Sequence, residues 1–192
     1  LPNGNIKTLF AHQSELWIGT DGLGALKFDG ANWQTFTTGN SGLPSNLINA
    51  ISADTAGNVL FGTNNGLAIK NDTGWVVHDM SSNGFPNNNI SSITVTPNNE
   101  YWIGTATGIG QFDGTNWTTY NTSNSDLISD KITSLITAGS GDVWTATLDA
   151  NEGNVASFDG ANWTVHHNGG GDLTMNGFST IAVDTLSNQG GC

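Results

Sequence analysis

The chain has 192 residues, 36% of them apolar, and a formal net charge of −12. That length is enough for a sizeable core, while no apolar run approaches the roughly 20 residues that a membrane-spanning helix needs. The four cations, all lysines, are too few for the basic patch that nucleic acid or an anionic membrane surface requires. We therefore expect neither nucleic-acid binding nor membrane insertion.

One sequence pattern occurs four times along the chain. Its tryptophans, Trp33, Trp75, Trp117 and Trp163, are separated by 42, 42 and 46 residues. The segments "WIGT", "FGT", "WIGT" and "WTAT" keep the same step, and the last interval is longer because "TLDANEGN" (147–154) exceeds its counterparts. A fixed period of roughly 20 to 50 residues indicates a solenoid or a propeller.

The third unit shows which of the two architectures applies. It contains four short strand signals joined by hairpin-length turns, namely "ISSITVT" (90–96), "YWIGT" (101–105), "IGQF" (109–112) and "WTTY" (117–120). No segment has helical periodicity over ten residues, and the "DGTN" turn suits a tight hairpin. A four-stranded antiparallel meander of about 40 residues is one blade of a β-propeller.

The predicted fold is therefore all-β, with four complete four-stranded antiparallel blades that begin near residues 6, 48, 90 and 132 and the first strand of a fifth. We expect a single repeat domain over 1–192, and the sequence leaves open whether its ring is complete. The predicted blades cover approximately 1–42, 43–84, 85–126 and 127–172, with a partial fifth unit at 173–192. One blade cannot bury both of its apolar faces, so each needs neighbours of its own kind.

The partial fifth unit raises the question of what pairs with it. "NGFSTIAVD" places Phe178 and Ile181 in the positions of the apolar anchors of a first strand, with Asp184 in the place of Asp54. Such a strand belongs to a longer propeller, joins the first unit in its own ring, or pairs with another copy. We expect the first or the last of these, which makes self-association through 173–192 a prediction. The single cysteine, Cys192, excludes an internal disulfide.

The motifs resemble the two-component regulator propeller repeat. "NGNIKTLF", "LWIGT", "GLGALKFDG", "NWQTF" and "GLP" match its unit in order, and the resemblance covers nearly the whole chain. The resemblance implies a blade of the kind found in periplasmic sensor regions of bacterial hybrid two-component systems, where paired propellers sense glycan fragments, and in secreted proteins. Rings of this family usually have about seven blades, compared with four here.

Residues capable of catalysis or metal binding occupy repeated structural positions. His78 and His166 stand where other units have Phe36 and Tyr120, which indicates packing, and Asp29, Asp113 and Asp159 recur in the "FDG" turn. With no Arg and no nucleophile motif, we expect no enzyme, no metal and no cofactor. The alternative is a calcium-binding loop formed by Asp149, Asn151, Glu152 and Asn154, but these lack the Asp-x-Asp-x-Asp-Gly order.

A binding surface, if present, lies where the fourth-to-first and second-to-third strand connections share one side of a propeller. We call this side the loop face. Seven polar residues are expected to point from it: Asp21, Asn64, Asn65, Thr107, Asp149, Asn151 and Glu152.

Two functions are consistent with these features. The first is a non-enzymatic extracytoplasmic binding or sensor module, extracellular or periplasmic, that recognises a glycan or protein on the loop face. The alternative is a structural extracellular protein that assembles into oligomers or filaments through its blades and its unpaired C-terminal strand.

Overall fold

The protein is described by a computed structural model, which covers residues 4–82, 84–149, 152–166 and 180–182, with backbone alone at 149 and 152. These residues form sixteen strands and no helix, so no helix that could span a bilayer occurs in this part of the chain. The all-β prediction is confirmed.

The strands form four sheets in chain order. Sheet 1 contains β1 (Ile6–His12), β2 (Glu15–Thr20), β3 (Ala25–Phe28) and β4 (Trp33–Phe36). Sheet 2 contains β5 (Ile48–Ala53), β6 (Val59–Thr63), β7 (Gly66–Asn71) and β8 (Gly74–His78). Sheet 3 contains β9 (Ile90–Val95), β10 (Tyr101–Thr105), β11 (Gly108–Phe112) and β12 (Trp117–Tyr120). Sheet 4 contains β13 (Ile132–Thr137), β14 (Val143–Asp149), β15 (Glu152–Phe158) and β16 (Trp163–His166).

Each sheet is an antiparallel meander, and the predicted starting positions are those observed. In sheets 1, 3 and 4, the "FDG" sequence forms the turn between the third and fourth strands. Asp29 accepts hydrogen bonds from the backbone N–H groups of Ala31 and Asn32 at 2.9 and 2.7 Å, and Gly30 has φ +96°. These bonds hold the pKa of Asp29 below its ordinary value. The same bonds recur at Asp113 and Asp159, so these aspartates have turn roles.

The sheets stack through their first strands. β1 lies against β5, β5 against β9, and β9 against β13. Three apolar clusters fill the spaces between sheets 1 and 2, 2 and 3, and 3 and 4. The core therefore consists of interfaces between neighbouring sheets, as expected for propeller blades.

A close contact recurs at every one of these interfaces. The first residue of each later sheet, Ile48, Ile90 or Ile132, is almost fully buried. Its Cγ2 methyl lies over the glycine of the second strand of the preceding sheet, which is Gly19, Gly62 or Gly104. A Cβ atom added to these glycines would stand 2.8, 2.7 and 2.5 Å from that methyl, so only glycine permits this approach.

The outward side of sheet 1 differs from its counterparts. Ile51, Ile93 and Leu135 are buried by the preceding sheet, with relative exposures of 7, 8 and 6%. Leu9 holds the same position in β1 and is 60% exposed. Sheet 1 therefore exposes an apolar face, whereas the corresponding face of each of the other three sheets is covered by the sheet that precedes it.

The predicted fifth unit lies mostly outside the described residues. Within 180–182, the backbone N–H of Ile181 donates to Ser134 Oγ at 3.2 Å. One unit earlier, the backbone N–H of Leu135 donates to Ser92 Oγ at 2.9 Å. Ile181 therefore stands against β13 as Leu135 stands against β9, and the assignment of 173–192 to a fifth unit stays a prediction.

His78 lies within the packing between sheets 2 and 3. Its ring centroid is 5.2 Å from that of Phe112 and 5.6 Å from that of Trp117, and its Nδ1 accepts a hydrogen bond from Trp117 Nε1 at 3.3 Å. That bond requires a neutral imidazole. Burial, opposed in part by the Asp79 carboxylate, lowers the pKa of His78 below its ordinary value.

We predict that Gly62→Ala destabilises the protein by about 1–3 kcal/mol, because the new methyl would collide with Ile90 and Ile93. Urea denaturation measures the change in unfolding free energy. Gly139→Ala is the matched control, since an added Cβ there meets no atom within 4 Å. An unchanged midpoint for Gly62→Ala would show that the close contact is not a constraint.

We also predict that the protonation of His78 accounts for part of the pH dependence of the melting temperature. Because its pKa is depressed in the folded state, this stabilisation is complete above about pH 6.5 and declines as the pH falls below that value. His78→Phe, which copies the packing residue Phe36, should melt with a weaker pH dependence between pH 8 and 5. Identical profiles for the protein with and without His78 would contradict the prediction.

Candidate functional site

The loop face is formed by two kinds of connection that hold each other in place. The backbone N–H groups of Gly24, Gly66 and Gly108, in the turns between second and third strands, donate to the carbonyls of Asn46, Asn88 and Asp130. The three distances are 2.8, 2.7 and 2.8 Å, and the acceptors belong to the connections between fourth and first strands. The two kinds of connection therefore lie on one side of the sheets, as predicted.

Side chains further stiffen the fourth-to-first connections. Asn46 Oδ1 accepts from the Thr38 backbone N–H at 2.8 Å, Asn88 Oδ1 from Met80 at 2.7 Å, and Asp130 Oδ1 from Thr122 at 2.7 Å. These bonds link positions eight residues apart in each connection. The loop face is consequently a preformed surface of turns, which lowers the entropy cost of binding a ligand.

The predicted loop-face residues fall into two groups. Asp21 and Asn64 occupy equivalent positions directly after Thr20 and Thr63, and both are exposed. Asn65 and Thr107 are exposed too, but their side chains donate to the carbonyls of Pro44 at 3.3 Å and Pro86 at 3.0 Å. Asn65 and Thr107 thus fasten one connection to the other, a structural role that their exposed positions did not indicate.

The insert in the fourth unit lengthens a hairpin. β14 and β15 pair as far as Asp149 opposite Glu152. The Leu148 backbone donates to the Lys131 carbonyl at 2.9 Å, and Ser129 Oγ donates to the Leu148 carbonyl at 2.8 Å. The hairpin therefore reaches the loop face, as expected. Asn151 lies outside the described residues.

No metal centre is assembled in the part of the chain that the structure describes. Within it, no group of three or more His, Cys, Asp or Glu side chains is close enough to hold a metal ion. The side chains of Asp149 and Glu152 are not among those described, so the calcium alternative stays a hypothesis.

Asp54 makes a contact between sheets that sequence reasoning missed. It is 4% exposed and accepts hydrogen bonds from Tyr101 Oη at 2.7 Å and Asn58 Nδ2 at 2.7 Å. Burial raises its pKa, but the hydrogen bonds prevail and hold the pKa below its ordinary value; burial and the Asp54 bond raise the pKa of Tyr101. The missed signal was Tyr101 itself, because other units carry Leu16, Val59 or Val143 at that position.

A serine and a histidine also meet in sheet 4. Ser157 Oγ lies 2.8 Å from His166 Nε2, and the His166 ring stacks on Trp144 with centroids 4.5 Å apart. The two residues stand diagonally across β15 and β16, so their spacing in sequence gave no indication of the contact. A nucleophilic site also needs a third group that orients the histidine, and among the described residues the His166 ring has no hydrogen-bond partner other than Ser157.

Comparisons with known proteins agree with the repeat. A family model described as two component regulator propeller matches residues 42–65 and 84–107. Both ranges run from a fourth-to-first connection through two strands to the "GT" turn. No curated protein sequence matches the chain significantly.

Solved structures share the fold at low identity. The extracellular domain of a putative hybrid two component system from B. thetaiotaomicron matches with a TM-score of 0.71 and 18% identity, over 84% of this chain and 23% of that one. Virginiamycin B lyase from Staphylococcus aureus matches with a TM-score of 0.69 and 14% identity, over 89% of this chain and 59% of the lyase. PorZ of Porphyromonas gingivalis is a surface component of the type-IX secretion system. It matches with a TM-score of 0.64 and 15% identity, over 95% of this chain and 30% of PorZ.

The chain spans under a quarter of the first of these structures, and at such identities the likeness shows the fold alone. The family match and the four antiparallel sheets agree with the motifs in the sequence. Residues 42–65 and 84–107 thus match the two component regulator propeller model that the sequence motifs resemble.

Proposed function

We propose that the chain is a non-enzymatic, extracytoplasmic binding module of the sensor type, which recognises a glycan or a protein on its loop face. The family match and the resemblance to extracellular domains of two-component systems support this role. They also support an extracellular or periplasmic location.

The observation that carries the proposal is a braced surface with free polar side chains. Asp21 and Asn64 are exposed, and neither side chain forms a hydrogen bond among the described residues. They project from turns whose backbone is held by the neighbouring connections. Carboxylate and amide groups in this setting are available to donate to or accept from a ligand without first breaking an internal bond.

A neutral glycan suits this surface best. Sugar hydroxyls both donate and accept hydrogen bonds, which matches a mixture of Asp, Asn and Thr side chains. The net charge of −12 disfavours anionic glycans at long range. A protein ligand would use the same side chains with a larger contact area.

The non-enzymatic assignment concerns the chemistry of the described residues. One structural neighbour is a lyase, and at 14% identity it supports a common fold rather than a common reaction. His78 is engaged with Trp117 in the core, and His166 is stacked on Trp144 beside Ser157. Neither arrangement supplies the base and charge stabiliser that a lyase reaction would require.

We predict that Asp21→Ala combined with Asn64→Ala weakens glycan binding at least about tenfold, because two free hydrogen-bonding groups are lost. A panel of neutral oligosaccharides screened by glycan array identifies the ligand, and calorimetry then measures its affinity. The control is Asp72→Asn, an exposed residue of the β7–β8 turn, remote from the loop face. Binding that survives the double substitution would place the site elsewhere, and a panel without any binder would favour a protein ligand.

A second candidate function is self-assembly, and the exposed face of sheet 1 favours it. Ile6 and Leu9 are 53 and 60% exposed, whereas the equivalent residues of the other sheets are buried. Burying an aliphatic side chain of this size contributes roughly 1.5–3 kcal/mol. A second copy that covers this face would therefore be stabilised by the contact.

The assembly hypothesis predicts concentration-dependent sedimentation that Leu9→Asp abolishes, because a carboxylate cannot be buried there without a partner. Met80→Asp is the control, since Met80 is equally exposed at 61% and lies in a connection away from sheet 1. A protein that sediments as a monomer at every concentration would exclude this function.

A further inference from the structure

A polar cavity lies between sheets 3 and 4, at the end of the sheets opposite to the loop face. The β9–β10, β13–β14 and β15–β16 turns surround it, and its volume is about 350 Å³. Its walls carry three carboxylates, two amides and an indole, contributed by Glu100, Asp142, Asp159, Asn98, Gln111 and Trp102.

The cavity has acidic walls with no cationic neighbour. None of its lining residues is a lysine or an arginine, and the whole chain contains only four such residues, at Lys7, Lys27, Lys70 and Lys131. Any positive charge that balances these carboxylates must therefore come from another molecule or from the solvent.

In sheet 1, a lysine neutralises the carboxylate at the position that corresponds to Glu100 of the cavity. Lys27 on β3 stands opposite Trp17 on β2. Its Nζ lies 2.7 Å from Glu15 Oε1 and 5.6 Å from the centroid of the Trp17 ring. The ammonium group thus combines an ion pair with a cation–π contact, a pairing that carboxylate and indole together favour.

Sheet 3 keeps two of these three residues. Glu100 and Trp102 stand two positions apart on the chain, as Glu15 and Trp17 do. The residue opposite Trp102 is Gln111 instead of a lysine.

The change to Gln111 leaves the Glu100 carboxylate of the cavity without the cation that Glu15 has. The Gln111 amide oxygen accepts a hydrogen bond from Tyr120 Oη at 2.9 Å, so it is directed to another partner. Trp102 is 1% exposed, and its Nε1 has no hydrogen-bond partner among the described residues, a feature that it shares with Trp17 of sheet 1. Among the described side chains, the Glu100 carboxylate has no ion-pair partner, since the one ion pair there is that of Lys27 with Glu15.

We propose that this cavity binds a primary alkylammonium group, which takes the place beside Glu100 and Trp102 that the Lys27 ammonium takes beside Glu15 and Trp17. The group belongs to a lysine side chain of a partner protein or to a free amine. Asp142 and Asp159 add to the negative potential of the walls. This site is separate from the loop face and does not depend on the function proposed for it.

Two probes test the proposal, n-butylammonium chloride and the peptide acetyl-Gly-Gly-Lys-Gly-Gly-amide. Each is titrated at constant ionic strength while the Trp102 indole N–H resonance, identified with Trp102→Phe, is followed by NMR. We expect a saturable shift with at least one probe. Equal affinities would identify the alkylammonium group alone as the ligand, and tighter peptide binding would identify a lysine within a protein. The absence of a saturable shift with either probe would overturn the proposal.

Matched variants assign the binding to the cavity. Glu100→Gln should weaken binding by about fivefold or more, and Gln111→Lys should abolish it, because its own ammonium would occupy the site as Lys27 does in sheet 1. Glu15→Gln, at the equivalent position of sheet 1, should leave the affinity within about twofold. Retained spectra for all variants show that the fold is intact. Equal affinity in Glu100→Gln, or binding that persists in Gln111→Lys, would refute the site.

Discussion

The structure depends on one repeated contact, in which an isoleucine methyl lies over a glycine of the preceding sheet. Ile48 on Gly19, Ile90 on Gly62 and Ile132 on Gly104 bring the sheets so close that no side chain fits at the glycine. Each isoleucine buried in this way contributes roughly 1.5–3 kcal/mol, which a single meander cannot obtain alone. Stability therefore comes from the interfaces between sheets, and every sheet needs a neighbour that offers the complementary surface.

Both proposed sites use side chains that differ between units of the repeat. Stacking determines the positions of the sheets, and the sheets determine the positions of the turns. Hydrogen bonds between the connections then hold the backbone of the loop face in place. Asp21 and Asn64 add free polar groups to that frame. On the opposite side, replacing the lysine of sheet 1 by Gln111 leaves Glu100 without its cation. In both proposals the repeat supplies the scaffold, and residues that differ between units supply the chemistry.

The repeat period predicted the strands well because each unit forms the same local hydrogen bonds. The positions of Ile48, Ile90 and Ile132, the turn roles of Asp29 and Asp113, and the shared side of the two kinds of connection all follow from the position of a residue within its unit. Contacts between units cannot be predicted from the position of a residue within its unit. The Tyr101–Asp54 bond, the use of Asn65 and Thr107 as fasteners, and the cavity beside Trp102 depend on which side chains meet across two sheets, and alignment of the units carries no such information.

Amide hydrogen exchange tests most directly whether interfaces between sheets, rather than single sheets, hold the fold. Among the described strands, β5 and β9 each contact a neighbouring sheet on both sides, whereas β1 contacts a neighbouring sheet on one side only. Their hydrogen bonds within each sheet are otherwise alike. The account predicts that the amides of β5 and β9 exchange most slowly and those of β1 distinctly faster. Equal protection of β1, β5 and β9 would show that each sheet is stable by itself and would contradict the account.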